Sequence, residues 1–248
     1  FVADVISNMI SRDPDRLWSD FAILFRSNHL SLAFEQEFRS RGITPKIIGG
    51  QAFFQRKEVK DAAAYLKLLV NKRDDQSLLR ILSVPPRGLG DKAILTLREL
   101  QKTMHKPLTE ILGSEEYHAH LTKSAVSAAA SMAGCISQYA ADFKQPGRLA
   151  DRIRDYLTDI GYLHGLQKIY KNAEEAEKRQ DNILEFINYI GIYELRQQKE
   201  CSLGEFMETY SLMDDNDRTD DREDSDGPIL STVHASKGLE FPIVFVVG

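Results

Sequence analysis

Hydrophobic positions along the chain follow two different periods. FAILF (21–25) is an unbroken apolar run closed by Arg26, Ser27 and Asn28. Such a run predicts a strand buried on both faces, as in a parallel sheet. Ser27 or Asn28 can cap the next segment, where Leu30, Ala33, Phe34 and Phe38 recur at helical spacing until Gly42 stops it. ITPKIIGG (43–50) predicts a second short strand, and Val59, Ala63, Leu66 and Val70 form the stripe of a second helix. Strand, helix, strand, helix in this order predicts a βαβ unit.

Beyond PPRGLG (85–90) the strand-like runs stop. Helical patterns separated by glycines take over in AILTLRELQKTM, AVSAAASMAGCISQYAADF, RLADRIRDYLTDIGYL and NILEFINYIGIYEL. Strand signals return at 229–233 and 242–247. The simplest organisation is one α/β domain whose parallel sheet is interrupted by an all-helical insertion. Its expected parts are 1–90, a helical block 91–226 ending in an acidic linker, and 227–248. A block of that size can carry its own core.

Composition changes this picture little. Apolar content is 42% of 248 residues, ordinary for a globular chain. The longest apolar runs are strand-sized, too short to span a bilayer, and no leader pattern opens the chain. Cys135 and Cys201 are far apart, which argues against zinc and against a disulfide framework. Together these features predict a cytoplasmic protein without a membrane partner. A first residue of Phe1 and a strand at the very end suggest a piece of something longer.

Charge is more informative when localised. The net charge is −5, but DDNDRTDDREDSDG (214–227) holds eight acids and two arginines, so the remainder is near neutral at +1. The acidic stretch predicts a flexible hinge, and the rest neither excludes nucleic acid nor argues for it.

The densest candidate chemistry lies in LSTVHASKGLEF (230–241), directly before PIVFVVG. A turn at the C-terminal ends of parallel strands is where α/β folds place ligands. Lys237 supplies a mobile cation and Gly238 allows close backbone approach. Glu240 can accept from sugar hydroxyls, and Thr232 or His234 can donate to a phosphate. A hydrophilic turn with a glycine for positive φ is the plain alternative. No G-x-x-x-x-G-K-[ST] occurs, and no apolar strand ends in Asp-Glu to hold magnesium.

TVHASKGLEF resembles motif V of the UvrD/Rep group of superfamily I DNA helicases. In the same order, ILFRSN (23–28) resembles motif IV. IIGGQAFFQRKEVKDAAAYL (47–66) and NKRDDQSLLRILSVPPRGLG (71–90) resemble the blocks that follow it, and AEKRQDNILEFI (176–187) resembles the Arg-x-x-Asn block of the helical insertion. The resemblance implies the second RecA-like domain of a two-domain motor, with its insertion. ATP and Mg2+ would be bound mainly by the missing N-terminal motor domain, and single-stranded DNA would run across both.

By this resemblance Arg26 is an arginine finger to the γ-phosphate, and Phe25 stacks on adenine unless it is simply the last core residue of its strand. Glu240 holds the ribose, Gly238 lies beside the nucleotide, and Lys237 serves either ligand. Thr232 and His234 touch the DNA backbone. Arg56, with Glu58, Lys60 and Asp61, is either a DNA-facing or interdomain cluster or a capped, solvated first helical turn. Phe53 and Phe54 are read as core. Gly88 and Gly90 form a hairpin for duplex phosphate, with a plain turn as the alternative, and Arg179 and Asn182 hold helices together. His118 and His120 lie two apart on different faces of a helix and are not read as metal ligands.

The expected function is half of an ATP-dependent 3′–5′ DNA helicase acting at single-strand/duplex junctions. Repair or replication proteins are expected partners, and the piece alone is expected to lack ATPase activity and to bind DNA weakly. The competing readings are a DNA- or protein-binding regulatory module and the helicase subunit of a recombination nuclease complex.

Overall fold

The computed structural model describes residues 1–26, 30–49, 52–197, 200–219 and 226–248, with backbone alone for 117–118 and 214–219. Ser27 and Asn28, expected to cap the first predicted helix, lie outside these residues, as do 220–225 of the acidic stretch and the side chain of His118. No helix among the described residues is long and apolar enough to cross a membrane.

The chain forms two compact units. One comprises 1–56 with 212–248, the other 57–211. The first opens with α1 (Val2–Arg12), then β1 (Phe21–Phe25), α2 (Ser31–Ser40) and β2 (Lys46–Ile48). The second contains α3 (Lys57–Val70), α4 (Asp75–Ile81), α5 (Asp91–Met104), α6 (Leu108–Gly113), α7 (Glu115–His118), α8 (Lys123–Asp142), α9 (Leu149–Asp159), α10 (Tyr162–Ile169), α11 (Ala173–Arg196) and the first half of α12 (Leu203–Thr219). The chain then returns to the first unit with β3 (Ile229–Thr232) and β4 (Ile243–Val247). This is the expected α/β class: a RecA-like parallel sheet interrupted by an all-helical insertion.

The sheet order is β2-β3-β1-β4, and all pairs are parallel. β1 and β2, predicted as successive strands, are therefore separated by β3, which arrives almost two hundred residues later. Phe21, Ile23 and Phe25 alternate onto one face of β1. There they pack with Ala3 and Ile6 of α1, Phe38 of α2 and Leu230 of β3. Asp226, the last acid of the acidic stretch, is not solvated linker: its carboxylate accepts the Trp18 and Ser19 amides at 3.0 and 2.8 Å, just ahead of β1. Nor is the stretch all linker, because α12 continues to Thr219.

The units divide after Arg56, whereas the sequence placed 57–90 with the sheet. The reason is that α3 is not one-sided. Its expected stripe is only part of a nearly all-round apolar surface, with Val59, Ala62, Tyr65, Leu66 and Leu68 all fully buried. A helix apolar on nearly every side needs helices on nearly every side, and α3 packs against α4, α8, α9 and α11. Val70, counted on the stripe, is 51% exposed at the helix end. The predicted segment 148–163 is two helices, because Gly161 adopts φ +75° between α9 and α10.

Candidate functional site

The register of the sheet brings two of the sequence blocks to one rim. Phe25 pairs with Thr232 at the ends of adjacent parallel strands, and the Val233 amide donates to the Phe25 carbonyl at 3.1 Å. Arg26 therefore leaves the sheet beside the start of the 233–240 turn. The end of β2 joins them: Gly49 has φ +74°, and a Cβ there would lie 2.1 Å from the Ala235 Cβ. Only glycine satisfies both the backbone and the contact.

The turn is internally braced. The Thr232 Oγ1 accepts from the Ala235 amide at 3.2 Å and the Thr232 carbonyl from the Ser236 amide at 3.0 Å. The Ser236 hydroxyl donates to the Val233 carbonyl at 3.0 Å. Gly238 sits at φ +87° with nothing within 4 Å of a notional Cβ, so its conformation is required and its surroundings are open. Arg26, His234, Lys237 and Glu240 are all exposed, and their side chains make no hydrogen bond or ion pair with any described residue. Ile243 pairs with Phe21 at the opposite edge, so Glu240 lies where the chain begins its return across the sheet.

Two predicted residues are not on this surface. Phe25 is 1% exposed, because odd positions of β1 face the core and the last of them is still covered by its neighbours there. Its ring is core, not an open stacking platform. Arg56 is 7% exposed, with its guanidinium 4.9 Å from the Phe53 ring centroid and Nη2 donating to the Ser31 hydroxyl at 3.3 Å. It is not DNA-facing but part of a buried polar cluster around Glu35 of α2. The Glu35 carboxylate accepts the Phe53 amide at 3.2 Å. Burial raises its pKa, and the Ser31 hydroxyl, the Phe53 amide, Arg56 and Arg39 pull the other way. Phe53 and Phe54 are core, as expected.

In the helical unit, Glu58, Asp61, Arg179 and Asn182 assemble. Glu58 is fully buried at the start of α3. Its Oε2 meets Arg179 Nη1 of α11 at 2.7 Å, and its Oε1 accepts the Asn182 amide. The Tyr162 hydroxyl of α10 donates to the Glu58 carbonyl at 2.9 Å. Asp61 meets Arg80 of α4 at 2.6 Å. These residues bolt four helices together, so Glu58 and Asp61 of QRKEVKD face neither solvent nor DNA.

Gly88 has φ +95° and Gly90 is the N-cap of α5 without a side-chain cap. Both are exposed. Arg87 anchors this turn inward, donating to the carbonyls of Val84 at 3.1 Å, Pro85 at 3.3 Å and Ile160 at 3.2 Å and to the Tyr65 hydroxyl. The first amides of α5 therefore face outward from a fixed turn.

A parallel sheet with a polar turn at its rim and a helical insertion is the architecture of a motor-domain half, and the whole chain, residues 1–248, matches the UvrD-like helicase C-terminal domain. The chain belongs to that family. It is 31% identical over 239 residues to the ATP-dependent DNA helicase PcrA of Leuconostoc citreum, covering 93% of this chain and 31% of that protein. It is 32% identical over 235 residues to PcrA of Staphylococcus aureus, with the same coverages. To the ATP-dependent DNA helicase Rep of Salmonella typhimurium it is 32% identical over 240 residues, covering 93% of this chain and 34% of that protein. The chain thus spans about a third of the length of the curated relatives it matches.

Proposed function

We propose that this chain is the second motor half of an ATP-dependent 3′–5′ DNA helicase of the UvrD/Rep type. The carrying observation is Arg26: an exposed cation with no partner among the described residues, at the end of a buried strand beside the braced turn that presents His234 and Lys237. Buried strand and braced turn make this a preorganised rim, suited to charge that develops elsewhere.

Nucleotide chemistry fits part of this surface. Arg26 and Lys237 suit phosphate, Glu240 suits ribose hydroxyls, and Gly238 lets the backbone approach. Bound ATP supplies the phosphoryl group whose hydrolysis drives the motor. Mg2+ is assigned to the other motor half, since no apolar strand of this sequence ends in the paired acids that would hold it. Thr232 and His234, at the strand end, are assigned to the backbone of single-stranded DNA, and the Gly88–Gly90 turn to duplex phosphate at a helix N-terminus. A helicase acting on chromosomal DNA works in the cytoplasm of a bacterial cell, beside repair and replication proteins.

The test is Arg26→Ala in the full-length protein. Turnover should fall by roughly 10³–10⁵, about 4–7 kcal/mol of transition-state stabilisation, with melting temperature and DNA affinity unchanged. The isolated 1–248 chain should show no ATPase activity. Turnover by that chain, abolished by the same substitution, would refute the division of labour.

A further inference from the structure

We infer that Arg56 is a positioning residue for ATP hydrolysis: with Ser31 and Glu35 it secures the backbone on the far side of Arg26, and so the place from which that guanidinium reaches. This deepens the proposed function and rests on the phosphate role given there to Arg26.

The Arg26 side chain is exposed and makes no hydrogen bond or ion pair with any described residue. Among these residues, its aim is therefore set by its own backbone. On the N-terminal side that backbone is held by the sheet, where Phe25 pairs with Thr232 and Val247 and its carbonyl accepts the Val233 amide at 3.1 Å. On the C-terminal side it leads to α2, whose first residue, Ser31, is five positions on and 2% exposed. Five residues span at most about 17 Å, so a displacement at the start of α2 is passed back along a short tether.

The start of α2 is held by a charged fork. Arg56 Nη2 donates to the Ser31 hydroxyl at 3.3 Å, and the guanidinium lies 4.9 Å from the Phe53 ring centroid. One turn further along the same helix, the Glu35 carboxylate accepts the Phe53 amide at 3.2 Å. Both anchors reach the 53–56 segment, which follows β2 closely. Phe53 is four positions after Gly49, and Gly49 abuts Ala235 in the turn after β3. These links close a ring. It runs from Phe25 and Arg26 to Ser31 and Glu35, across to Phe53 and Arg56, back by Gly49 to Ala235, and through Val233 to Phe25. Arg26 is the exposed cation on that ring, and Arg56 the buried one.

Burying charge is an unfavourable way to pack two segments. Arg56 is 7% and Glu35 1% exposed, and Glu35 Oε1 accepts no hydrogen bond from a described residue. Apolar side chains of similar volume would hold α2 against 53–56 at least as well. What the fork adds is direction: a planar guanidinium stacked on one ring and bonded to one hydroxyl admits few orientations. Catalysis needs that direction, since misplacing a reacting group by about 1 Å can lower the rate about 10²-fold.

The experiment measures ATP hydrolysis by the full-length protein on saturating single-stranded DNA, for Arg56→Ala, Arg26→Ala and the double variant. Arg56→Ala should lower kcat about 10²-fold, with KM for ATP and DNA affinity held within about twofold. In the Arg26→Ala background it should lower kcat no further, because no guanidinium is left to aim. A further drop in that background, an unchanged kcat in the wild-type background, or a loss confined to KM overturns the inference and leaves Arg56 to the stability of the fold. Should Arg56→Ala lose its far-UV circular dichroism, Ser31→Ala carries the test. It removes only the hydroxyl that Arg56 holds, and should lower kcat about fivefold, again only when Arg26 is present; wild-type kcat in that variant overturns the inference. Failure of the motor reading looks different, because Arg26→Ala would then itself leave turnover intact.

Discussion

Glu58 is a carboxylate with no exposure, held by Arg179 at 2.7 Å and by the Asn182 amide. Arg179→Ala removes the compensating charge and leaves the carboxylate with one neutral donor. Breaking a buried pair from one side costs about 3–5 kcal/mol. Arg179 is 32% exposed, so water can replace part of the missing interaction, and an expected cost of about 2–3 kcal/mol follows. With a urea m-value of roughly 2–3 kcal/mol/M, the unfolding midpoint followed by far-UV circular dichroism should fall by about 1 M. The paired replacement of Glu58 and Arg179 by methionine removes both charges and should recover most of that decrease. The double-mutant cycle should therefore give a coupling of about 1–3 kcal/mol. A midpoint shift below about 0.3 M for Arg179→Ala, corresponding to under 1 kcal/mol, would refute the bolt, as would strict additivity in the cycle.

Three further outcomes are expected. Burial raises the Glu35 pKa above its ordinary 4.5, so between these two values the folded state binds more protons and stability falls as pH rises. Glu35→Gln should remove that slope and raise the melting temperature at pH 7 while matching wild type below pH about 4; a uniform change at both pH values would contradict it. Gly42 and Gly49 share φ +74°, but only Gly49 meets a neighbour. Gly42→Ala should cost about 1–2 kcal/mol of left-handed strain and Gly49→Ala clearly more, with protease cleavage appearing in the 233–240 turn; equal costs would show that the contact with Ala235 yields freely. Burial pushes the Cys135 thiol up to about 11, so alkylation in the native protein should still be rising between pH 9 and 10, where a free thiol near 8.5 levels off. Cys201, 1% exposed, should label only after unfolding.

Much of the architecture was legible in local pattern. FAILF read as a buried strand and IVFVV as a strand because nothing polar interrupts them, although Val244 and Val246 stand exposed on the edge strand β4, and α5, α8 and α11 read as helices because their apolar residues recur at helical spacing. The polar turn after β3 was visible through Lys237, Gly238 and Glu240 crowded between two apolar runs. Phe25 and Arg56 were misplaced for a shared reason. Each adjoins an exposed polar position, yet which face a residue takes depends on the parity of its strand or on the neighbours that close over it.

The amino-acid sequence by itself determined the alternation of buried strands and amphipathic helices, the glycine-dependent turns and the family to which they belong, since period and backbone freedom are local properties. Only the tertiary structure decided that β3 inserts between β2 and β1, that α3 sits with the helical insertion, and that Glu58 closes on Arg179 across 121 positions of chain. Those outcomes depend on which surfaces exclude water together, and that is settled only when distant segments meet.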